Sequence, residues 1–189
     1  MERTEIRITG FGGQGVVLIG YIIGRAWSVH AGGHATMIQS FGPEARGSAC
    51  SATLALSDQE VLYPYVRRTD ILVAMSSEGC EKYGAEVRDG GLLIYESDLV
   101  EPAVRPGLRA CGVPSTRIAE ALGRRLVQNI VMLGFFAGVT RLVPLDAMRE
   151  AVRLSVPAGT EELNLKAFDQ GLAHAEASAS APSLEGAKP

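Results

Sequence analysis

A glycine-rich turn near the start of the chain constrains the fold more than any other feature. Glu5 to Thr9 alternate polar and apolar side chains, which predicts a strand that ends at Gly10. Gly10-Phe11-Gly12-Gly13-Gln14-Gly15 follows, and the chain is then almost wholly apolar from Val16 to Val29, which predicts a helix that Gly32-Gly33 ends. A strand, a glycine turn and a helix in this order begin a βαβ unit.

The later segments predict an α/β fold. Apolar runs of strand length lie at 35–39, 52–56, 70–75 and 92–95, and helical patterns at 118–139, 144–154 and 161–177. Gly123, Gly134 and Gly138 interrupt the first of these helical patterns. We expect a Rossmann-like, mostly parallel sheet flanked by helices, with a helical C-terminal part. Residues 1–174 are expected to form a single α/β domain, and residues 175–189 a flexible Ala/Ser/Pro-rich tail.

Composition and charge argue against two classes of partner. The chain has 189 residues, 47% of them hydrophobic and 21% charged, which is typical of a globular protein. Its net charge of -3 and the lack of a basic run give no basis for binding nucleic acid. The most apolar stretch, Gly15 to Val29, contains Arg25 and is shorter than the roughly 20 residues that cross a bilayer. No signal peptide pattern precedes it. We expect a cytoplasmic protein without a membrane partner.

The chain offers little for metal binding or catalysis. Cys50, Cys80 and Cys111 lie far apart and none belongs to a C-x-x-C motif, so no zinc or iron–sulfur site is predicted. His30 and His34 are separated by Gly32-Gly33, which would break a helix that placed them on one face. No G-x-S-x-G motif is present. We therefore predict no catalytic residue and no metal ligand.

The glycine turn fits the pattern of a phosphate-binding loop. Gly10, Gly12 and Gly15 match G-x-G-x-x-G, in which glycines permit positive φ, expose backbone N–H groups and let an anion approach the helix N-terminus. The alternative is a tight turn that only packs strand against helix. A dinucleotide site also needs an acidic residue at the end of the second strand. That strand ends in Ile38-Gln39-Ser40, which disfavours NAD.

A second motif, Gly42-Pro43-Glu44-Ala45-Arg46-Gly47, follows the second predicted strand. Loops after parallel strands gather at one edge of a sheet, so this loop is expected to face the glycine turn. Arg46 is suited to hold a phosphate or carboxylate, or to pair with Glu44 and brace a surface turn, and both interpretations remain open. Asn129, within an apolar segment, is either a core amide or a contact at a subunit boundary.

Together these motifs resemble the gamma subunit of the 2-oxoacid:ferredoxin oxidoreductases, most of all the 2-oxoglutarate type. The resemblance runs from about residue 4 to residue 172 and rests mainly on G-x-G-G-Q-G followed, after the next strand, by G-P-E-A-R-G. The other matching stretches are Ser57-Asp58, Pro64, Asp70 to Ser76, Ile118-Ala119-Glu120, Asn129, Leu133-Gly134, Glu161 to Asn164, Lys166 to Phe168 and Gly171.

The resemblance implies a complex that oxidatively decarboxylates a 2-oxoacid, with 2-oxoglutarate favoured, forms the acyl-CoA and passes electrons to ferredoxin. It implies alpha and beta subunits, with a delta subunit as a further candidate, that hold thiamine diphosphate, Mg²⁺ and [4Fe–4S] clusters, so that this chain is not catalytic alone. It implies contact with coenzyme A by Gly10, Gly12, Gly13, Gln14, Gly15 and Arg46. It implies a subunit interface formed by Gly42, Pro43, Glu44, Gly47 and Asn129.

One stretch departs from the family pattern. After Gly47 the chain continues Ser48-Ala49-Cys50-Ser51, without the arginine or aspartate common there, so no polar contact is carried over to that stretch. Three alternative functions are kept: a subunit of a pyruvate, branched-chain or aryl 2-oxoacid oxidoreductase, a stand-alone Rossmann-like nucleotide-binding protein, and an assembly factor whose glycine turn binds nothing.

Overall fold

The strands lie in the first part of the chain, up to Val113, with α-helices after the first and the fourth strand, and the rest of the described chain is helical. A computed structural model describes residues 3–42, 49–103 and 105–180. The strands are β1 (Thr4–Phe11), β2 (His34–Phe41), β3 (Ala49–Ser57), β4 (Thr69–Ala74), β5 (Val87–Glu96) and β6 (Arg109–Val113). The helices are α1 (Val16–Arg25), α2 (Ser77–Gly84), α3 (Ser115–Ala121), α4 (Gln128–Thr140), α5 (Leu145–Arg153) and α6 (Glu161–Ser180). A π-helical turn, Ala26–His30, extends α1, and a 3₁₀ turn, Arg125–Val127, precedes α4.

The six strands form one sheet in the order β2-β3-β1-β4-β5-β6. The pairs β1–β4, β4–β5 and β5–β6 are parallel, whereas β3 is antiparallel to both β1 and β2. The expected α/β fold with a mostly parallel sheet is confirmed, and the sheet is mixed because β2 and β3 form a hairpin at one end. The sequence pattern did not predict β6, since this five-residue strand contains Gly112 and begins at the exposed Arg109.

Helices cover the two faces of the sheet unequally. Ile6 and Ile8 of β1 lie in the larger core, which packs against α1 and against helices α3 to α6. Leu72 and Leu93 point to the other face, where they form a smaller core with Cys80 of α2. The alternation of side chains along each strand divides the apolar residues between these two cores.

Helix α1 lies close to the hairpin, as the spacing of its glycines allows. A Cβ atom added to Gly20 would lie 3.0 Å from Met37 Sδ, 3.1 Å from Leu54 Cδ1 and 3.3 Å from Ala52 Cβ. Tyr21, the next residue of the helix, has a side chain that is about half exposed. Within the described ranges, no helix combines the length and hydropathy that a membrane span requires.

Helices α4 and α6 cross with their backbones in contact. Residues 128–137 of α4 are all buried. A Cβ atom added to Gly134 would lie 1.9 Å from the Phe168 carbonyl oxygen, and one added to Gly171 would lie 2.0 Å from the Val131 carbonyl oxygen. Two glycines facing opposite backbones let the helices approach more closely than side chains would permit. Gly134 therefore does not interrupt a helix, contrary to the sequence-based expectation, but forms the centre of a helix contact.

The predicted end of the domain at residue 174 falls inside α6, which continues to Ser180. Ala175 is buried, and a Cβ atom added to Gly138 of α4 would lie 2.6 Å from the Ala175 Cβ atom. This contact holds the last part of α6 on the core. Residues 175–180 are thus helical, which corrects the predicted start of the tail.

Candidate functional site

The glycine-rich loop joins the end of β1 to the start of α1, as the sequence predicts. The Gln14 backbone N–H donates to the Phe11 carbonyl oxygen at 3.1 Å and closes a turn. Gly13 has φ +98° and Gly15 has φ +76°, conformations that L side chains rarely adopt. Glycine at these two positions is therefore required by the path of the backbone.

The Gln14 side chain ties the loop to the neighbouring strand. Its Oε1 accepts from the Phe11 N–H at 2.7 Å, and its Nε2 donates to the Met75 carbonyl oxygen at 3.0 Å. Gly10 leaves the space for this amide, since a Cβ atom there would lie 2.5 Å from Gln14 Oε1. Gln14 is therefore a positioning residue that connects the loop after β1 to the end of β4.

These two strands mark the place where the chain changes direction across the sheet. From β1 the chain passes through α1 to β2 on one side, whereas β4 lies on the other side and is followed outward by β5 and β6. In α/β sheets such a switch point leaves a crevice at the carboxyl ends of the strands, where ligands bind. The glycine-rich loop lies at the place where such a crevice is expected.

Asn129 of α4 packs against the glycine-rich loop at Gly15. It is 5% exposed, and a Cβ atom added to Gly15 would lie 2.3 Å from Asn129 Nδ2 and 2.9 Å from Asn129 Cβ. Gly15 is thus confined both by its positive φ and by the Asn129 side chain. The predicted role of Asn129 at a subunit interface stays a prediction.

The loop presents backbone donors at the N-terminus of α1. Among the described residues, none accepts a hydrogen bond from the N–H of Gly12 or Gly13. The first turn of α1 has neither a side-chain cap nor an acidic residue. Free N–H groups and the positive end of a helix dipole favour an anion such as a phosphate. Gly13 adds open space, since a Cβ atom there would meet nothing within 4 Å.

The topology also argues against a dinucleotide site of the NAD type. Strand β3 lies between β1 and β2, so the end of β2 is two strand spacings, about 10 Å, from the glycine-rich loop. In the dinucleotide fold, the acidic residue that holds the ribose follows a strand adjacent to β1. The residues at the end of β2 here, Gln39 and Ser40, carry no carboxylate. The fold and the sequence therefore agree on this point.

A buried carboxylate at the end of β5 lies at the same edge of the sheet and accepts hydrogen bonds there. Glu96, at the end of β5, is 1% exposed and accepts from the Ser115 hydroxyl and, at 2.9 Å, from the Thr116 N–H. The Thr116 hydroxyl lies 2.8 Å from Gln128 Oε1, next to Asn129 in the sequence. Sequence analysis missed this network, although an acidic residue directly after a buried strand was a signal for it.

Burial makes Cys50 and Cys80 poor candidates for a nucleophile. Cys50, opposite Gly10 in the β1–β3 pair, is buried, and this burial raises the pKa of its thiol. Burial, with a smaller contribution from Glu81, raises the pKa of the Cys80 thiol. A raised pKa lowers the fraction of reactive thiolate at neutral pH. Of the residues that the structure describes, no three or more His, Cys, Asp or Glu side chains group as a metal site.

The second predicted motif lies only partly within the described chain. The Gly42 N–H donates to the Ala49 carbonyl oxygen at 2.9 Å, and Ala49 pairs with Phe11 at the end of β1. The two ends of this loop are therefore at the same edge of the sheet as the glycine-rich loop. The other site residues predicted in the motif lie outside the described residues: Pro43, Glu44, Arg46 and Gly47. Their roles, and that of Gly42, stay predictions.

We expect Gln14→Glu to destabilise the chain by about 1–2 kcal/mol. The substitution preserves the shape of the side chain but replaces the N–H donor by a carboxylate oxygen that faces the Met75 carbonyl oxygen. Urea denaturation at pH 7 measures the change. Gln170→Glu, which introduces the same charge at an exposed position of α6, is the matched control and should be neutral. Equal stability of the two variants would contradict the positioning role of Gln14.

Comparison with known families shows the family of this chain. A model of the pyruvate ferredoxin/flavodoxin oxidoreductase family matches residues 5–174. The chain belongs to this family. The 2-oxoglutarate synthase subunit KorC of Methanothermobacter thermautotrophicus is 46% identical over 176 residues, a match that covers 89% of this chain and 93% of KorC.

Two solved structures have the same fold. The gamma subunit of a keto/oxoacid ferredoxin oxidoreductase from Geobacter sulfurreducens PCA has a TM-score of 0.81 at 37% identity, covering 92% of this chain and 99% of that one. The 2-oxoglutarate:ferredoxin oxidoreductase of Magnetococcus marinus, solved with 2-oxoglutarate, coenzyme A and succinyl-CoA, has a TM-score of 0.86 at 22% identity. The match covers all of this chain but only 34% of the length of that one. The resemblance to a gamma subunit is thus confirmed.

The same unit also occurs within longer family members. The ketoisovalerate oxidoreductase subunit VorA of Methanothermobacter marburgensis is 32% identical over 174 residues. The match covers 90% of this chain but 36% of VorA. In VorA, a unit of this kind is therefore covalently joined to a much longer stretch of protein.

Proposed function

We propose that this chain is the gamma subunit of a 2-oxoglutarate synthase, which converts 2-oxoglutarate and coenzyme A to succinyl-CoA and CO₂ and passes the two electrons released to ferredoxin. The observation that carries the proposal is the 46% identity to KorC over nearly the full length of both chains. The ketoisovalerate relative is less similar, at 32% identity, which favours 2-oxoglutarate as the substrate.

The side chains of this chain indicate which tasks fall to it and which to the other subunits of the complex. Among the described residues, this chain supplies backbone donors in the glycine-rich loop, while the Glu96 carboxylate at the same sheet edge is buried and bonded to Ser115 and Thr116. We propose that thiamine diphosphate, Mg²⁺ and [4Fe–4S] clusters are held by alpha and beta subunits, since the three free cysteines of this chain do not form a cluster site. The chain acts by positioning, and the reaction takes place on its partners.

We propose that the glycine-rich loop binds a phosphate of coenzyme A. The N–H groups of Gly12 and Gly13, which donate to none of the described residues, and the uncapped N-terminus of α1 suit an anion, and the open space at Gly13 admits one. Gln14 and Asn129 hold the loop in the conformation that presents these donors. Preformed donors lose little entropy when the ligand binds.

Purification of the chain with its native partners tests the assignment. We expect larger subunits to copurify, with the visible absorbance of iron–sulfur clusters and with coenzyme A-dependent oxidation of 2-oxoglutarate. Pyruvate and 2-ketoisovalerate serve as competing substrates at equal concentration. A colourless chain without companions would contradict the subunit assignment, and a preference for pyruvate or 2-ketoisovalerate would contradict the substrate.

We expect Gly13→Ala to raise the KM for coenzyme A about tenfold in the purified complex, which is the effect of losing one hydrogen bond to a charged group. The added methyl group would project into the space in front of the loop, where it meets no protein atom within 4 Å. Steady-state kinetics with varied coenzyme A measures the change, and the KM for 2-oxoglutarate should stay constant.

Gly90→Ala is the matched control for this experiment. Gly90 has φ +75° and open space around it, like Gly13, but it lies in the first part of β5, toward the opposite edge of the sheet. The two variants carry similar backbone strain, so a change confined to Gly13→Ala reports on the ligand. An unchanged KM for coenzyme A in Gly13→Ala would exclude the loop from the coenzyme site.

A further inference from the structure

A loop on the amino edge of the sheet exposes three large side chains. Leu62, Tyr63 and Tyr65 are 85%, 45% and 58% exposed, on the connection between β3 and β4. The two tyrosine rings lie 5.4 Å apart, and the Arg67 guanidinium lies 4.8 Å from the centre of the Tyr63 ring. We call Leu62, Tyr63, Tyr65 and Arg67 the aromatic cluster. It lies at the opposite edge from the glycine-rich loop.

Arg3, the residue directly before β1, holds this loop. The Arg3 guanidinium donates to the Tyr63 carbonyl oxygen at 2.6 Å and to the Tyr65 carbonyl oxygen at 2.7 Å. Glu5, at 2.7 Å, fixes the same guanidinium. The backbone on both sides of Pro64 is therefore attached to the edge of the sheet, while the side chains point to solvent.

The same strand holds the end of the loop through Glu5. Its Oε2 accepts from the backbone N–H of Arg67 at 2.7 Å and of Arg68 at 3.0 Å. The guanidinium groups of these two arginines form no ion pair with any residue that the structure describes. A groove of about 470 Å³ beside them is lined by four arginines and three acidic residues. Four arginines against three carboxylates leave the lining of the groove with one net positive charge.

Such an arrangement matches the centre of a protein interface. Tyrosine and arginine are over-represented among the residues that contribute most to binding, and tyrosine buries a large area at a small loss of side-chain entropy. A loop already fixed by Arg3 and Glu5 loses little more freedom on association. In the isolated chain, by contrast, the exposed parts of Leu62 and of the two tyrosine rings stay in contact with water and do not stabilise the fold.

We infer that the aromatic cluster, with Arg68 beside it, docks another subunit of the oxidoreductase complex, on a surface that is apolar at its centre and acidic at its rim. The inference rests on the proposed function. The partner is the subunit that corresponds to the remainder of VorA, because this chain matches 36% of VorA and the rest of that protein is joined to the equivalent unit. Arg67 and Arg68, which form no ion pair with a described residue, favour an acidic rim on the partner.

Reconstitution of the complex from separately purified chains tests the docking surface. Tyr63→Ala/Tyr65→Ala should weaken binding to that subunit at least tenfold, measured by titration calorimetry or interferometry. Arg67→Glu/Arg68→Glu should slow association and remove most of its salt dependence. Both pairs of side chains lie outside the core, and circular dichroism and thermal unfolding confirm that the variants are folded.

Tyr21→Ala is the matched control, because Tyr21 is 48% exposed on α1 and far along the chain from the cluster. It should bind as the unchanged chain does. Unchanged affinity of the Tyr63→Ala/Tyr65→Ala variant would overturn the inference, as would an equal loss in Tyr21→Ala. A further outcome is that the isolated chain self-associates and that Tyr63→Ala/Tyr65→Ala abolishes that association. This result would assign the surface to a second copy of the chain and overturn the inference. If the unchanged chain binds no subunit at all, the proposed function fails rather than the docking site.

Discussion

Gly134→Ala is expected to destabilise the chain by about 3 kcal/mol, and Gly171→Ala by a similar amount. A Cβ atom at either position would overlap a backbone carbonyl of the facing helix, at 1.9 Å from Phe168 O or 2.0 Å from Val131 O. Backbone atoms cannot rotate away as a side chain can, so α4 and α6 would have to move apart and lose core contacts. Thermal unfolding should show a fall in Tm of roughly 6–12 °C.

Gly84→Ala provides the opposite result in the same assay. Gly84 is the last residue of α2, and a Cβ atom there would meet nothing within 4 Å. Alanine at this position should leave stability unchanged or raise it by up to about 1 kcal/mol, because alanine favours the helix. The double variant Gly134→Ala/Gly171→Ala should lose less than the sum of the single losses, since one separation of the helices relieves both overlaps. Strict additivity would contradict the shared contact.

Gly15→Ala is expected to cost about 3 kcal/mol and to raise the KM for coenzyme A in the complex. The residue combines φ +76° with the Asn129 side chain at 2.3–2.9 Å from an added Cβ atom. Accommodating alanine would shift the start of α1 and with it the donors of the glycine-rich loop. Urea denaturation of the chain and coenzyme A kinetics of the complex measure the two effects.

Two comparisons separate the causes of this loss. Gly159→Ala, with φ +83° and no neighbour within 4 Å, should show only the backbone strain of about 1–2 kcal/mol. Gly15→Ala/Asn129→Ala should be less destabilised than the sum of its single variants, with a coupling of about 1 kcal/mol, because the amide that overlaps the new methyl group is removed. If Gly15→Ala and Gly159→Ala lose the same stability, the contact with Asn129 is irrelevant.

The sequence predicted the parts of the fold that depend on neighbouring residues. The alternation of Glu5 to Thr9, the glycines that follow and the apolar run at β4 specify a strand, a turn and buried parallel strands through local periodicity and backbone sterics. The motifs at Gly10–Gly15 and Gly42–Gly47 also sufficed to identify the family. Strand β6 was missed because its five residues carry no period long enough to detect.

The candidate site was predicted in position but not in its internal contacts. The glycine pattern placed a loop between β1 and α1, yet it gave no reason to connect Gln14 with Met75 or Gly15 with Asn129. These partners lie far apart in the sequence and meet only when β4 and α4 pack beside the loop. In the fold, both polar atoms of the Gln14 side chain bond to the backbone, at Phe11 and Met75, and contact of Gln14 with a ligand stays a prediction.

The sequence by itself determined the class of fold and the position of the loop, because periodicity, glycine sterics and motif spacing act over a few residues, and the resemblance of its motifs indicated the family. Only the tertiary structure decided that β3 lies between β1 and β2, that Gly134 and Gly171 bring two helices into backbone contact, and that Arg3 holds the loop at Tyr63. Each of these depends on atoms separated by many residues, whose distance is set by packing of the whole core rather than by any local preference.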